Sequence, residues 1–162
     1  MSPVLIACVA YAAAMTLANL SVATFGPWIT PINAFVLIGL DLALRDWLHV
    51  RLKALQMGGL IAATGLLTYA LNPAAGMIAI ASAVAFTGAA VVDWSVFAKL
   101  RGSWLFRANG SNVAGAAVDS LLFPTIAFGA LMPHIVLAQF AAKVAGGAVW
   151  AYAIKRVSHA PA

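Results

Sequence analysis

The sequence predicts an all-α integral membrane protein, a bundle of six transmembrane helices with both termini in the cytoplasm. The chain is 64% hydrophobic and only 8% charged, whereas soluble domains are roughly 25% charged. It contains six apolar runs, each close to the roughly 20 residues that a helix needs to cross about 30 Å of hydrocarbon. Its basic residues fall in alternate connections between these runs. Because six such spans use nearly the whole chain, we expect a single transmembrane domain over residues 1–162.

The six predicted helices are separated by turn signals. The first run lacks a basic segment before it and is longer than the apolar core of a signal peptide, which predicts a retained helix. Gly26-Pro27 ends the first run, Asn72-Pro73 separates the third from the fourth, and Pro133 precedes the sixth, since proline has no amide donor for a helix. The predicted spans are Val4–Ala23, Trp28–Trp47, Leu55–Leu71, Ala74–Phe97, Val113–Leu131 and His134–Ile154.

The basic residues predict the orientation. Eight of the nine Lys and Arg residues follow the second, fourth and sixth spans, and positive charge accumulates on the cytoplasmic side of membrane proteins. We therefore expect a multi-pass protein of the cytoplasmic (inner) membrane with both termini inside. The eight residues are Arg45, Arg51, Lys53, Lys99, Arg101, Arg107, Lys155 and Arg156.

Several classes of function are disfavoured by the sequence. The net charge of +5 lies in short loops and not on a soluble basic face, so we do not expect a nucleic-acid partner. Cys8 is the one cysteine, which excludes a disulfide framework and a cysteine-based metal site. The chain has no H-E-x-x-H, no G-x-S-x-G and no phosphate-binding glycine loop. We expect neither an enzyme nor a bound cofactor or metal.

Ionisable side chains inside the predicted spans are candidates for function, because each costs at least about 2.5 kcal/mol to insert. Counted from the nearer helix ends, the three carboxylates among them lie roughly 6 to 9 Å below the cytoplasmic interface, on three different helices. They are therefore expected to share one site. The candidates are Asp41, Asp93, Asp119 and Lys143, with Asn19 and Asn112 as polar companions.

Lys143 lies near the predicted midplane, where its side chain cannot reach water. A pair with Asp119 or with Asp41 satisfies both charges, and the alternative role for such a pair is purely structural. For Asp93 the alternative is a helix-end carboxylate hydrated by headgroup water. Asp41 and Arg45 are four residues apart and share a helix face.

Other polar and small residues allow two interpretations each. The stretch Arg107–Asn112 predicts either the floor of a cavity or an ordinary solvated loop with a helix cap. Phenylalanines such as Phe123 suit stacking against a planar ligand, but they also suit plain packing. The stripe of Ala10, Ala14 and Ala18 permits close helix contact, either within the bundle or with a partner subunit.

The order of these polar residues resembles the vitamin-uptake-transporter family, whose members are also called queuosine-precursor transporters. The resemblance covers most of the chain and is most specific between Asp93 and Gly129. It rests on Ala18-Asn19-Leu20, Phe35-Val36-Leu37 through Asp41, Asp93-Trp94-Ser95-Val96-Phe97 with Lys99 and Arg101, Arg107 to Ser111, Gly115, Val118-Asp119-Ser120-Leu121-Leu122-Phe123, Ile126-Ala127-Phe128-Gly129 and Lys143.

The resemblance implies import of a 7-deazaguanine precursor of queuosine, such as 7-cyano-7-deazaguanine. A guanine-like base has adjacent N–H donors that one carboxylate accepts together, and its flat faces suit aromatic rings. We expect Asp119 to bind the base edge, with Asp93, Asn112, Asn19 and Phe123 as further binding candidates. Asp41, Lys143 and Arg45 are expected to form a coupling or structural ion pair.

Two alternatives to an independent importer remain at this point. One is a substrate-binding membrane subunit that needs an energising partner, docked on the alanine stripe. The other is a structural or regulatory membrane protein in which the buried ions only fix helix register. The expected partners of the importer are a purine-like small molecule and membrane lipid, with a second copy or a partner subunit as further candidates.

Overall fold

A computed structural model describes residues 2–158. It contains six helices that are long and apolar enough to cross a membrane, with no strand among the described residues. The predicted all-α six-helix architecture is therefore confirmed, whereas both chain ends, Met1 and Ala162, lie outside the described residues. The helices are α1 (Pro3–Phe25), α2 (Pro27–Leu48), α3 (Ala54–Leu71), α4 (Pro73–Lys99), α5 (Trp104–Phe128) and α6 (Pro133–Ser158).

Helix α2 is irregular in its first half. It begins with a 3-10 turn, Pro27–Ile29, after Gly26, whose φ of 79° is a conformation that glycine adopts readily. A π-helical turn, Ala34–Ile38, interrupts it before the regular segment Gly39–His49. Such turns displace the backbone and occur often at functional sites. The turn ends at Ile38, less than one helical turn before Asp41.

Helix α5 begins at Trp104, nine residues before the predicted start. The Ser103 side chain caps it by accepting from the Phe106 amide. Arg107 donates to the Phe97 carbonyl at 3.1 Å and stacks over the Phe97 ring at 4.1 Å. The interpretation of Arg107–Asn112 as a solvated loop is therefore wrong, because α4 supplies the partners that let this polar stretch continue the helix.

Five helices surround the polar centre, and α3 lies at the periphery. Helices α4 and α5 make the most extensive contact, and α6 packs on both α5 and α2. Helix α3 contacts α1 and α4, and only 11% of its residues are buried. The loops after α2 and α4 and the end of α6 carry most of the exposed basic residues, and we call this end of the bundle the basic side.

The alanine stripe of α1 faces the interior. Ala14 and Ala18 are buried, and Ala10 is partly buried. Of the two roles expected for this stripe, packing within the bundle is confirmed. Docking of a partner subunit on this helix stays a prediction.

Candidate functional site

A small polar cavity lies at the centre of the bundle. Its volume is about 30 Å³, which is room for one or two water molecules. All helices except α3 contribute to its wall, which combines amides, aromatic rings and one ion pair. The lining side chains that bear on function are Asn19, Asn33, Ser82, Phe86, Asp119, Phe123, Gln139 and Lys143.

The ion pair of this cavity joins α5 to α6. The Lys143 Nζ atom lies 2.7 Å from Asp119 Oδ2, and it also donates to Gln139 Oε1 at 2.9 Å and to Ser120 Oγ at 3.2 Å. An ammonium group has three donors, so Lys143 is fully satisfied in the interior. Of the two partners expected for Lys143, the structure selects Asp119.

Asp119 is the more accessible member of the pair. Its side chain is 11% exposed, compared with 2% for Lys143. Since Lys143 holds Oδ2 from α6, the carboxylate remains a candidate acceptor for a group in the cavity. The geometry thus provides an oriented negative charge at the cavity wall.

Three amide side chains surround the same cavity. Asn33 donates to Ser21 Oγ at 2.7 Å and to the Ala18 carbonyl at 3.3 Å, while Asn19 donates weakly to Thr68 at 3.5 Å. Gln139 Nε2 is buried without a hydrogen-bond partner. Amides that present both donors and acceptors suit a ligand with a mixed hydrogen-bonding edge.

Arg45 belongs to the interior and not to the basic loop after α2. It is 3% exposed, its Nε atom lies 3.8 Å from Asp93 Oδ2, and its guanidinium group lies 4.7 Å from the Phe86 ring centre. The expectation that Arg45 is one of the cytoplasmic loop cations is wrong, because α2 continues past Arg45 and turns it toward α4. Asp93 is likewise buried and paired, so the alternative of a hydrated helix-end carboxylate is also wrong.

Two more buried groups accompany Arg45. Asp46 is 1% exposed and interacts electrostatically with both Asp93 and Arg45. Tyr11 is fully buried on α1 and faces Asp41. Neither residue was a candidate in the sequence, because Asp46 lies next to the predicted helix end and a tyrosine in an apolar run is common at membrane interfaces.

A second, larger cavity opens between α3 and α4 near the basic side. Its volume is about 400 Å³. Apolar side chains form most of its wall, and Arg45 and Asp93 are its charged lining residues. Because Phe86 lines the central cavity and carries Arg45 on its ring, this Phe86–Arg45 contact lies between the two cavities.

The structure divides the sequence candidates into two groups. Asp119, Asn19 and Phe123 line the central cavity together with Lys143, whereas Asp93 and Arg45 line the second one. Asp41 lines neither cavity, but it interacts electrostatically with the charged groups of both ion pairs. Two of the three expected carboxylates thus belong to separate ion pairs, and the third, Asp41, interacts electrostatically with both pairs.

Asn112 lies apart from both cavities. It is buried where α5 meets α6, so close that a Cβ atom on Gly147 would lie 3.2 Å from its Nδ2 atom. By contrast, Asn33 and Gln139 line the cavity, although neither was a candidate from the sequence. Gln139 precedes Lys143 by one helical turn, a spacing that places both side chains on one face and is the signal that identifies it.

Comparison with known proteins adds one finding. Residues 4–154 match the model of the family described as "Putative vitamin uptake transporter". The chain belongs to this family. No curated protein and no solved structure matches it. The match makes this vitamin uptake transporter homologue a multi-pass membrane protein of a transporter family, and it spans every helix that contributes to the two cavities.

Proposed function

We propose that this protein imports a 7-deazaguanine precursor of queuosine, such as 7-cyano-7-deazaguanine, across the cytoplasmic membrane. The observation that carries the proposal is the Asp119 carboxylate, held by Lys143 at 2.7 Å and exposed to a cavity lined by amides and aromatic rings. A guanine-like base presents adjacent N–H groups that one carboxylate accepts together.

The other walls suit the remaining features of such a base. Phe86 and Phe123 line the cavity and offer apolar surfaces to a flat ring system. Gln139 has a free amide donor for a carbonyl oxygen of the ligand, and Asn19 makes only one weak hydrogen bond, to Thr68. Ligand sites commonly combine a mostly apolar wall with a few oriented polar groups.

Transport requires the central cavity to expand. About 30 Å³ does not hold a bicyclic base, so helices must separate for the ligand to enter and leave. The wall is built by helices from both halves of the chain, and alternating access in transporters is largely the movement of such bundles around a fixed site. We place the ligand in the central cavity, among α1, α2, α4, α5 and α6.

The proposed orientation depends on the exposed basic residues. These still lie at the basic side of the bundle when the buried Arg45 is left out. Both termini and the basic loops lie in the cytoplasm under the positive-inside rule. The cavity between α3 and α4 then lies toward the cytoplasmic side, beyond the Phe86–Arg45 contact.

The test is uptake of labelled 7-cyano-7-deazaguanine by cells that cannot make queuosine precursors. We expect uptake with the wild-type protein and at least about a tenfold loss with Asp119→Asn, because a hydrogen bond to a charged group contributes roughly 1.5 to 3 kcal/mol. Thr24→Val is the matched control, since Thr24 is exposed and its hydroxyl bonds only its own helix.

The amount of folded protein in the membrane is measured for each variant. Absence of uptake by folded wild-type protein would overturn the proposed substrate. Normal uptake by Asp119→Asn would remove this carboxylate from the binding site.

A further inference from the structure

The buried charges of the bundle do not balance. All four acidic residues of the chain are buried: Asp41, Asp46, Asp93 and Asp119. Among the Lys and Arg residues that the structure describes, two are buried with them, Arg45 and Lys143. If every group were ionised, four negative and two positive charges would leave an excess of two negative charges in the interior. Such an excess is not tolerated in a medium of low dielectric constant, where an unpaired carboxylate takes up a proton or a cation instead.

Asp119 and Asp93 have cationic partners. Lys143 and Asp119 form a close pair, so their charges cancel. Arg45 is closest to Asp93 and also interacts with Asp46. Since Asp46 and Asp93 interact with each other beside a single guanidinium group, one proton shared between them neutralises that cluster.

Asp41 is the carboxyl group that remains. It is fully buried, and neither of its oxygens has a hydrogen-bond partner. The Tyr11 hydroxyl, also fully buried, is the group on α1 that interacts with it. The hydroxyl can donate its own proton to the ionised carboxylate, and it can accept a hydrogen bond when the carboxyl group is protonated, so it serves both states of Asp41.

The other charged and titratable groups that interact electrostatically with Asp41 come from the helices around it. They are Tyr11 on α1, Arg45 and Asp46 on α2, Asp93 on α4, Asp119 on α5 and Lys143 on α6. Helix α3 has no Asp, Glu, Lys or Arg. Three carboxyl groups among these neighbours disfavour a negative charge on Asp41, and the two cations already have carboxylate partners.

A proton fits this position better than a metal ion. Sodium and the divalent cations need several oxygen ligands in a shell, and residues 2–158 contain no group of three or more His, Cys, Asp or Glu side chains that could hold a metal ion. The positive charge of Arg45 repels a second cation. A proton, by contrast, becomes part of the carboxyl group and leaves it neutral.

We infer that Asp41, with Tyr11, is a proton-binding site that couples import to the proton gradient. This inference rests on the proposed function. Asp41 interacts electrostatically with both Asp119 and Lys143 at the substrate cavity, so binding of the proton and binding of the substrate affect each other. Such coupling between two sites is reciprocal. One proton enters with each neutral substrate molecule, and its release to the cytoplasm restores the starting state.

The experiment uses the full protein in proteoliposomes with the membrane potential held at zero. Labelled 7-cyano-7-deazaguanine is added outside, with the outside one pH unit more acidic than the inside. One proton per neutral substrate predicts accumulation of about tenfold at equilibrium, since one pH unit corresponds to 1.36 kcal/mol. A pH dye inside should report acidification when substrate is added.

Two variants locate the proton site. Asp41→Asn, which resembles the protonated form, should lose accumulation and acidification but retain exchange of labelled for unlabelled substrate. Tyr11→Phe should reduce accumulation at the same gradient, and it tests the site independently if Asp41→Asn fails to fold. Thr24→Val should behave as wild type.

The outcomes separate the inference from the proposed function. Uptake that only equilibrates, or that follows a sodium gradient without a pH gradient, overturns proton coupling and leaves the import function standing. Accumulation by Asp41→Asn equal to wild type overturns the assignment to Asp41. Absence of any uptake or exchange by folded wild-type protein overturns both.

Discussion

The backbones of Gly39 and Gly146 touch where α2 crosses α6. A Cβ atom added to Gly39 would lie 2.7 Å from the carbonyl carbon of Gly146. A Cβ atom on Gly146 would lie only 2.1 Å from the Phe35 carbonyl oxygen, within the π-helical turn. Small residues at such crossings allow membrane helices to approach closely. This contact fixes the helix that carries Asp41 against the helix that carries Lys143.

We therefore expect Gly146→Ala to destabilise the fold strongly. The obstructing atoms belong to backbone and cannot move aside, so the two helices must separate, at a cost of at least about 1 to 3 kcal/mol. Thermal unfolding in detergent measures the effect. Gly59→Ala on α3 is the control, because no atom lies within 4 Å of its added Cβ. Equal stability of the two variants would contradict the close crossing.

Replacement of Arg45 tests whether its charge is buried. Arg45→Gln leaves three neighbouring carboxylates without their cation, and loss of one partner of a buried pair typically costs about 3 to 5 kcal/mol. Arg45→Lys should be intermediate, because it keeps the charge but loses the planar group that stacks on Phe86. The measurement is the free energy of unfolding.

Arg101→Gln is the matched control for Arg45. Arg101 is exposed in the loop between α4 and α5, where substitutions usually change stability by no more than about 0.5 kcal/mol. If Arg45→Gln were as mild as Arg101→Gln, Arg45 would be a solvated helix-end residue, as the sequence alone suggested.

Much of the fold could be predicted from the sequence because lipid imposes a simple requirement on each membrane-spanning segment. Each span must hide its backbone polar groups within a helix of sufficient apolar length, so the six runs predicted six helices. The start of α5 was missed for a physical reason. Arg107 interrupts the apolar run, and only the partner carbonyl and ring of Phe97 make it compatible with the helix.

Only part of the candidate site could be predicted from the sequence. The cost of charge in lipid pointed to Asp119 and Lys143, which form a close pair. It also suggested Arg45 for an ion pair, but it did not reveal that the partner of Arg45 is Asp93. The role of Gln139 beside Lys143 was also missed, since an uncharged amide carries a weaker sequence signal than an ion. For Arg45 and Gln139, the direction of the side chain determines whether it takes part in the site, and the residue type alone does not reveal that direction.

The pair of Asp119 and Lys143 can be tested by a double substitution. Asp119→Asn or Lys143→Met alone leaves the other charge buried without its partner, and each should lower the free energy of unfolding by about 3 to 5 kcal/mol. The double variant removes both charges and should recover most of this loss. Losses that simply add would contradict a direct pair. Uptake should remain absent in the double variant, because the acceptor for the base edge is still missing.

The alanine stripe of α1 provides a test of packing within the bundle. Ala14 is 3% exposed, whereas its neighbour Ala13 is exposed on the outer surface. Ala14→Leu should destabilise the protein by about 1 to 3 kcal/mol through overpacking, while Ala13→Leu should have little effect. Thermal unfolding in detergent compares the two. Loss of activity without loss of stability in Ala14→Leu would instead favour contact with a partner.

The proposed orientation can be tested by cysteine labelling in intact spheroplasts. After Cys8→Ser removes the native thiol, single cysteines are placed by Ala54→Cys at the basic side and by Ala130→Cys at the opposite side, both at exposed positions. A membrane-impermeant maleimide should label Ala130→Cys and leave Ala54→Cys unlabelled until the membrane is opened. This follows because the basic side carries nearly all the exposed positive charge, which membrane insertion retains in the cytoplasm. The reverse labelling pattern would invert the orientation and place the cavity between α3 and α4 toward the outside.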